Sequence, residues 1–150
     1  MINKFEGMFH FLSNMQLIDI PFEGIVYPSV EHYYVAMKTT DPRIRRIVSK
    51  IETPEKAKKY GRRDIEEKGL LRPDWSDIKI DVMRKGLEIK FQDVFMQTCL
   101  METDDHELIE GNWWNDTFWG VYKGKGENNL GKLLMEIRQR IRNENTQILP

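Results

Sequence analysis

The chain has 150 residues, 40% of them hydrophobic and 31% charged, with a net charge of −1. That length lets one domain bury a core without metals or disulfides, and the near-neutral balance argues against general coating of nucleic acid. No apolar run approaches the ~18 residues of a membrane helix, so no membrane partner is expected.

The single cysteine, Cys99, excludes an internal disulfide framework. Its apolar neighbours read as a buried thiol in a reducing compartment. The opening MINKFEGMFHFLSN has no apolar core or small-residue cleavage site of a signal peptide, so a cytoplasmic location is expected. No repeat, low-complexity tract or linker interrupts the chain, and residues 1–150 read as one domain.

Residues 1–28 look irregular, with two short extended runs in LIDIPFEGIVYP around a Phe22-Glu23-Gly24 turn. From Ser29 the period becomes helical, with Ser29 as N-cap and Val30, Tyr33, Tyr34 and Met37 as one buried stripe. Asp41-Pro42 starts a second helix, with Ile44, Ile47, Val48 and Ile51 at the same spacing. Thr53-Pro54 starts a third, short one that Gly61 is expected to stop. Residues 62–74 form a charged connection ending at Pro73-Asp74. From Trp75 to about Leu100 the pattern is helical, with Met83, Leu87, Phe91, Val94 and Phe95 inward and a break near Gln92-Asp93. HELIEG and DTFWGVYKG read as short strands or ordered loop. Leu130, Leu133, Leu134, Ile137 and Ile141 mark the last helix, which Asn128 or Asn129 is placed to cap. The expected class is α+β, mainly helical, with short strands near the N-terminus and before the last helix.

Charge is unevenly spread. Residues 43–72 hold 11 Lys or Arg against 5 Asp or Glu, whereas residues 102–118 hold 6 acids and no Lys or Arg. Most of these side chains read as solvated faces, but part of the basic segment suits a phosphorylated ligand.

Three constellations bear on chemistry. In PSVEHYYVAMK, residues 28–38, Glu31 takes the second helical position, where a carboxylate complements the helix dipole by about 0.3–1 kcal/mol. Glu31, Val35 and Lys38 also share a helical face, two turns placing Glu31 and Lys38 about 10 Å apart along the axis. An acid and an amine beside aromatic residues suit the wall of an active site. His32 falls on another face and reads as a hydrogen-bonded structural residue. In FWGVYKGKGENNLG, residues 118–131, glycines precede a helix N-terminus, an arrangement that suits an anion but lacks the Walker ending and the preceding strand of a dinucleotide fingerprint. The tryptophans Trp75, Trp113, Trp114 and Trp119 suit either packing or a flat base. Three scattered histidines give no zinc spacing, and no nucleophile elbow is present, so neither a metal nor another cofactor is expected.

The motifs FLSN (11–14), PSVEHYYVAMK (28–38), TPEKAKKYGR (53–62), DWSDIKIDVMRKGLEIKF (74–91), ELIE (107–110), NDTFWG (115–120) and GKGENNLGKLLMEIRQRI (124–141) occur in this order. Together they resemble the NADAR family of YbiA-like N-glycosidases over nearly the whole chain. The resemblance implies hydrolysis of a bond between ribose C1′ and nitrogen. One substrate class it implies is a phosphorylated ribosylamino-pyrimidine of the riboflavin pathway; the other is ADP-ribosylated guanine in a nucleotide or nucleic acid. It places the motif's carboxylate at Glu31 and its lysine at Lys38; the chemistry of the bond then suits Glu31 as acid and base, with either water or, through a Schiff base, Lys38 as the attacking group. Asn14, Arg62, Trp75, Asp116, Trp119, Gly120 and Asn128 fall on substrate-binding positions of the pattern. Two departures stand out: Met15 replaces an aromatic after the Ser-Asn pair, and only Val-Tyr-Lys separates Gly120 from Gly124, where relatives carry a longer acidic loop. A non-catalytic ADP-ribose or nucleotide-binding module is the reading from another class. The oligomeric state stays open.

Overall fold

The structure, a computed structural model, describes residues 1–148. Its chain divides into two units, one of residues 14–90 and one of residues 1–13 with those from 91 onward.

In the first unit, β1 (Leu17–Phe22) and β2 (Ile25–Ser29) form an antiparallel hairpin with Phe22 opposite Ile25. Glu23 and Gly24 both have positive φ, 48° and 81°, as a two-residue hairpin turn of this twist requires. Ser29 then ends β2 and caps α1 (Val30–Ala36). Every residue of α1 is buried, because α2 (Pro42–Ser49), α3 (Pro54–Tyr60), α4 (Trp75–Lys90) and the hairpin all pack on it. Tyr33 is central: its ring meets Phe22 and Tyr27 edge-on at 5.3 and 6.1 Å, and its hydroxyl donates to the Val82 carbonyl at 3.0 Å.

Three expectations for this unit need correction. The stripe assigned to α2 is buried only at Val48, with Ile47 exposed; Arg45 instead turns inward, its Nε donating to the Thr39 carbonyl. Gly61 does not stop α3. It keeps right-handed helical angles and opens a π-helix, Gly61–Glu66. Lys38 does not lie on α1, which ends at Ala36; it follows the C-cap Met37 in a tight turn, its amide donating to the Val35 carbonyl.

In the second unit, α5 (Val94–Met101) follows a break at residues 91–93, and Asp93 caps it by accepting from the Met96 amide at 2.9 Å. The break resets the helical phase. Met96 and Leu100 face the core, while Val94 and Phe95, expected inward, are 78% and 69% exposed. Cys99 is half-buried rather than buried. Ile2 pairs with residues 107–109, and β3 (Gly111–Asn112) pairs in parallel with β4 (Val121–Tyr122). The long α6 (Asn129–Ile148) buries Leu130, Leu133, Leu134, Ile137 and Ile141, the expected stripe. The class is α+β and mainly helical, as expected. No helix among the described residues is long and apolar enough to cross a membrane.

Candidate active site

The first turn of α1 is held from outside. Ser29 Oγ accepts from the His32 amide at 3.1 Å and contacts His32 Nδ1 at 2.7 Å, while His32 Nε2 lies 2.9 Å from the Ile51 carbonyl. A carbonyl only accepts, so Nε2 carries the proton and Nδ1 takes the Ser29 hydroxyl hydrogen. Burial lowers the His32 pKa from its ordinary value, the direction that favours the neutral ring this geometry needs. His32 is scaffolding, as the sequence suggested.

Glu31, between these partners, is only 9% exposed, and its amide donates to the Asn14 carbonyl at 3.1 Å. Asn14 is equally buried. Its side-chain nitrogen donates to Met83 Sδ at 3.4 Å, and its Oδ1 is buried with no hydrogen-bond partner. Buried polar atoms are normally paired, and this acceptor is an exception.

Lys38 is presented by two straps. The Arg72 amide donates to the Lys38 carbonyl at 2.9 Å, and the Arg72 guanidinium is fixed by both oxygens of Asp74 while reaching the Met37 carbonyl. The Lys38 amine donates to Glu66 Oε1 at 2.9 Å and sits 5.6 Å from the Tyr34 ring centroid. Trp75, expected to stack a base, is only 7% exposed, and its ring lies 5.0 Å from that of Tyr34. It backs the tyrosine. An open hollow of about 410 Å³ is lined by Lys38, Glu55, Lys58, Lys59, Arg62 and Glu66. Four of those six side chains are cationic, which suits a phosphate. Lys58, Lys59, Glu66 and the Arg72 strap were absent from the sequence reading. The lysines fell in the basic run but on no motif position assigned to substrate.

Asp116, Trp119, Gly120 and Asn128 belong to the other unit. Asp116 Oδ1 accepts from the Phe118 and Trp119 amides, so it fixes the turn that carries Trp119. Asn128 has a positive φ of 54°; its side chain accepts from the Glu110 amide and donates to the Leu108 carbonyl, so it does not cap α6. Within residues 124–128, the stretch before α6 that suited an anion, the Lys125, Glu127 and Asn128 amides already donate to the Tyr122, Thr117 and Gly120 carbonyls. Gly120 is buried against the Glu110 carbonyl, where a Cβ would collide. Among the described residues, no group of three or more His, Cys, Asp or Glu side chains is arranged to hold a metal ion.

The chain is similar to known proteins over most of its length. N-glycosidase YbiA of Escherichia coli strain K12 is 36% identical over 131 residues, which are 86% of this chain and 79% of that relative. A riboflavin biosynthesis protein of Vibrio vulnificus strain YJ016 is 37% identical over 133 residues, 87% of this chain and 35% of that relative. The NMR structure of Escherichia coli YbiA superposes with a TM-score of 0.83 at 31% identity, covering 100% of this chain and 92% of that one. The NADAR domain model matches residues 3–142, and the chain belongs to the NADAR domain family.

Proposed function

We propose that this chain is an N-glycosidase that hydrolyses the bond between ribose C1′ and an exocyclic nitrogen in a phosphorylated ribosylamino-pyrimidine. The observation that carries the reading is the first turn of α1, where Glu31 is buried and its amide is bound to the carbonyl of Asn14, whose Oδ1 is buried without a partner. The names of the relatives, N-glycosidase and riboflavin biosynthesis protein, supply the bond type and the substrate class.

The chemistry follows from the bond. An exocyclic amine on C1′ lets the sugar ring open: Glu31, as the acid, protonates the ring oxygen, and C1′ becomes a protonated imine. The Lys38 amine adds to C1′. Glu31 then moves a proton from the lysine nitrogen to the base nitrogen, the aminopyrimidine leaves, and C1′ stays bound to Lys38 as an iminium. Water adds to C1′ with Glu31 taking its proton, and the ribose is released from the lysine. Asn14 Oδ1 accepts a hydroxyl or amine hydrogen of the substrate. Arg62, with Lys58 and Lys59, holds the phosphate in the hollow that also contains Lys38. No metal takes part in any of these steps.

The test is release of ribose 5-phosphate from 5-amino-6-ribosylaminopyrimidine 5′-phosphate, followed by mass spectrometry for wild type and Glu31→Gln. Wild type is expected to release it, and a folded Glu31→Gln to lose about 100-fold or more, the usual worth of a positioned acid and base. No release by wild type refutes this substrate. Activity on ADP-ribosylated guanosine would then move the assignment to that class, consistent with the basic residues 43–72. Failure on both leaves a nucleotide-binding module.

A further inference from the structure

Glu66 occupies a position that the fold has to build specially. In a continuous α-helix from Pro54, each residue advances about 100° around the axis. The π-helix Gly61–Glu66 adds a residue to the turn and so rotates Glu66 by roughly that amount. The result is an ion pair with Lys38 across 28 residues of sequence, at 2.9 Å. Gly61, where the π-helix begins, is part of the same arrangement. A Cβ there would lie 3.0 and 3.2 Å from the Val35 methyl groups, tighter than ordinary contact, and 3.5 Å from Lys38 Nζ, so the bare backbone lets the helix pack on Val35 next to the amine. Such π-turns are rare and occur frequently at functional sites.

The pair is also graded in exposure. The Lys38 side chain is 12% exposed and that of Glu66 39%. The amine is enclosed by the Tyr34 ring and the Gly61 backbone, while the carboxylate reaches solvent. In an ion pair the proton resides on the amine, and an ammonium ion has no lone pair with which to attack carbon. Either the pair disables Lys38 as a nucleophile or the carboxylate takes part.

We propose that Glu66 is the proton acceptor and donor for Lys38. The inference rests on the reading of Lys38 as the covalent nucleophile. The Nζ–H bond breaks as Glu66 Oε1 takes the proton. The freed lone pair forms the Nζ–C1′ bond, and the electrons of the C1′–nitrogen double bond pass to the base nitrogen. After the aminopyrimidine has left and water has added to C1′, Glu66 returns its proton to the lysine nitrogen. The Nζ–C1′ bond then breaks, the aldehyde forms, and the proton of its hydroxyl restores the ammonium. Glu66 ends as the carboxylate it began as, and no oxidant or reductant is involved. In this scheme Glu31 works on the ring oxygen, the base nitrogen and water, and Glu66 works on Lys38.

The experiment is borohydride trapping in single turnover of 5-amino-6-ribosylaminopyrimidine 5′-phosphate. The rate of adduct formation on Lys38 is followed by peptide mass spectrometry from pH 5 to 10, in wild type, Glu66→Gln and Glu66→Asp. At pH 7, Glu66→Gln should form the adduct about 100-fold more slowly. Its rate should climb with pH across the range, because solvent must then remove the proton. Glu66→Asp should recover part of the loss. The Glu66 end of the pair is open to solvent, where ion pairs add little to folding, so both variants should melt near wild type. If wild type is trapped and Glu66→Gln is trapped as fast or faster, Glu66 only restrains the ammonium; the proposal fails and the role of Lys38 stands. If wild type turns over and no adduct forms on Lys38, the covalent reading and this proposal fall together.

Discussion

Replacing Ser29 by alanine tests whether the start of α1 is built as described. Ser29 is fully buried and its one oxygen serves twice, accepting from the His32 amide and contacting His32 Nδ1 at 2.7 Å. Loss of an N-cap oxygen costs about 0.5–2 kcal/mol. The imidazole nitrogen is then left buried without its donor, at about 1–3 kcal/mol. The hydroxyl leaves little space behind it, so no cavity cost is added, and the expected loss is about 1.5–5 kcal/mol. For a domain of this size that is a fall in melting temperature of roughly 3–20 °C. Urea unfolding at pH 7.5, with the slope against denaturant unchanged, reads it directly. Ser49→Ala is the control. Its hydroxyl donates to the Arg46 carbonyl on an exposed helix end and should change stability by less than about 0.5 kcal/mol. Because Glu31 lies between the two anchored residues, kcat/KM of Ser29→Ala should fall even under conditions where the variant is fully folded. A loss below about 1 kcal/mol would refute the claim that this cap and the His32 contact fix the first turn.

His32 makes stability depend on pH in a predictable direction. Burial lowers its pKa in the folded chain. Above about pH 6.5 both states hold it neutral and its contribution is complete. As pH falls below that, the unfolded chain takes the proton first, so stability is lost until the folded value is passed, at no more than about 1.4 kcal/mol per pH unit. His32→Gln should flatten that part of a urea-midpoint profile, and an unchanged slope would place the titration elsewhere. Gly86→Ala should destabilise although alanine favours helices by about 1 kcal/mol. Its Cβ would lie 2.6 Å from Cε1 of the buried Tyr33, whose hydroxyl is tied to Val82. Overpacking of that kind costs about 1–3 kcal/mol, and a melting temperature at or above wild type would overturn the account.

What the sequence revealed was local, and what it hid was relative. The Ser29, Asp41, Thr53 and Asp93 caps depend on residues two or three positions away, and each capping side chain accepts an amide hydrogen in its helix's first turn. Of these, Asp93 was read only as a break. The α6 stripe was equally readable because a long helix repeats its own phase. Val94 and Phe95 were misplaced because periodicity was carried across a break that resets it, so the buried face passes to Met96 and Leu100. Asn128 was misread for a related reason. Its side chain answers the backbone of residues 108 and 110, a pairing with no signature at the helix start itself.

The site shows the same division. Glu31 and Lys38 were singled out because they share a motif, yet the relation between Lys38 and its partner depends on the π-helix. Glycine at position 61 reads as a stop when only local conformation is weighed. Its actual requirement is distance, set by Val35, which belongs to another segment of the chain. Once that glycine is understood as an opening, Glu66 ceases to be an ordinary member of a charged connection. Two carboxylates in this unit then have unlike surroundings, Glu31 nearly buried and Glu66 half-exposed. Acid and base work divides along such differences, since burial and solvent contact set how readily each group exchanges a proton. A buried carboxylate suits protons that must stay on the substrate, and one open to water suits resetting the lysine between turnovers.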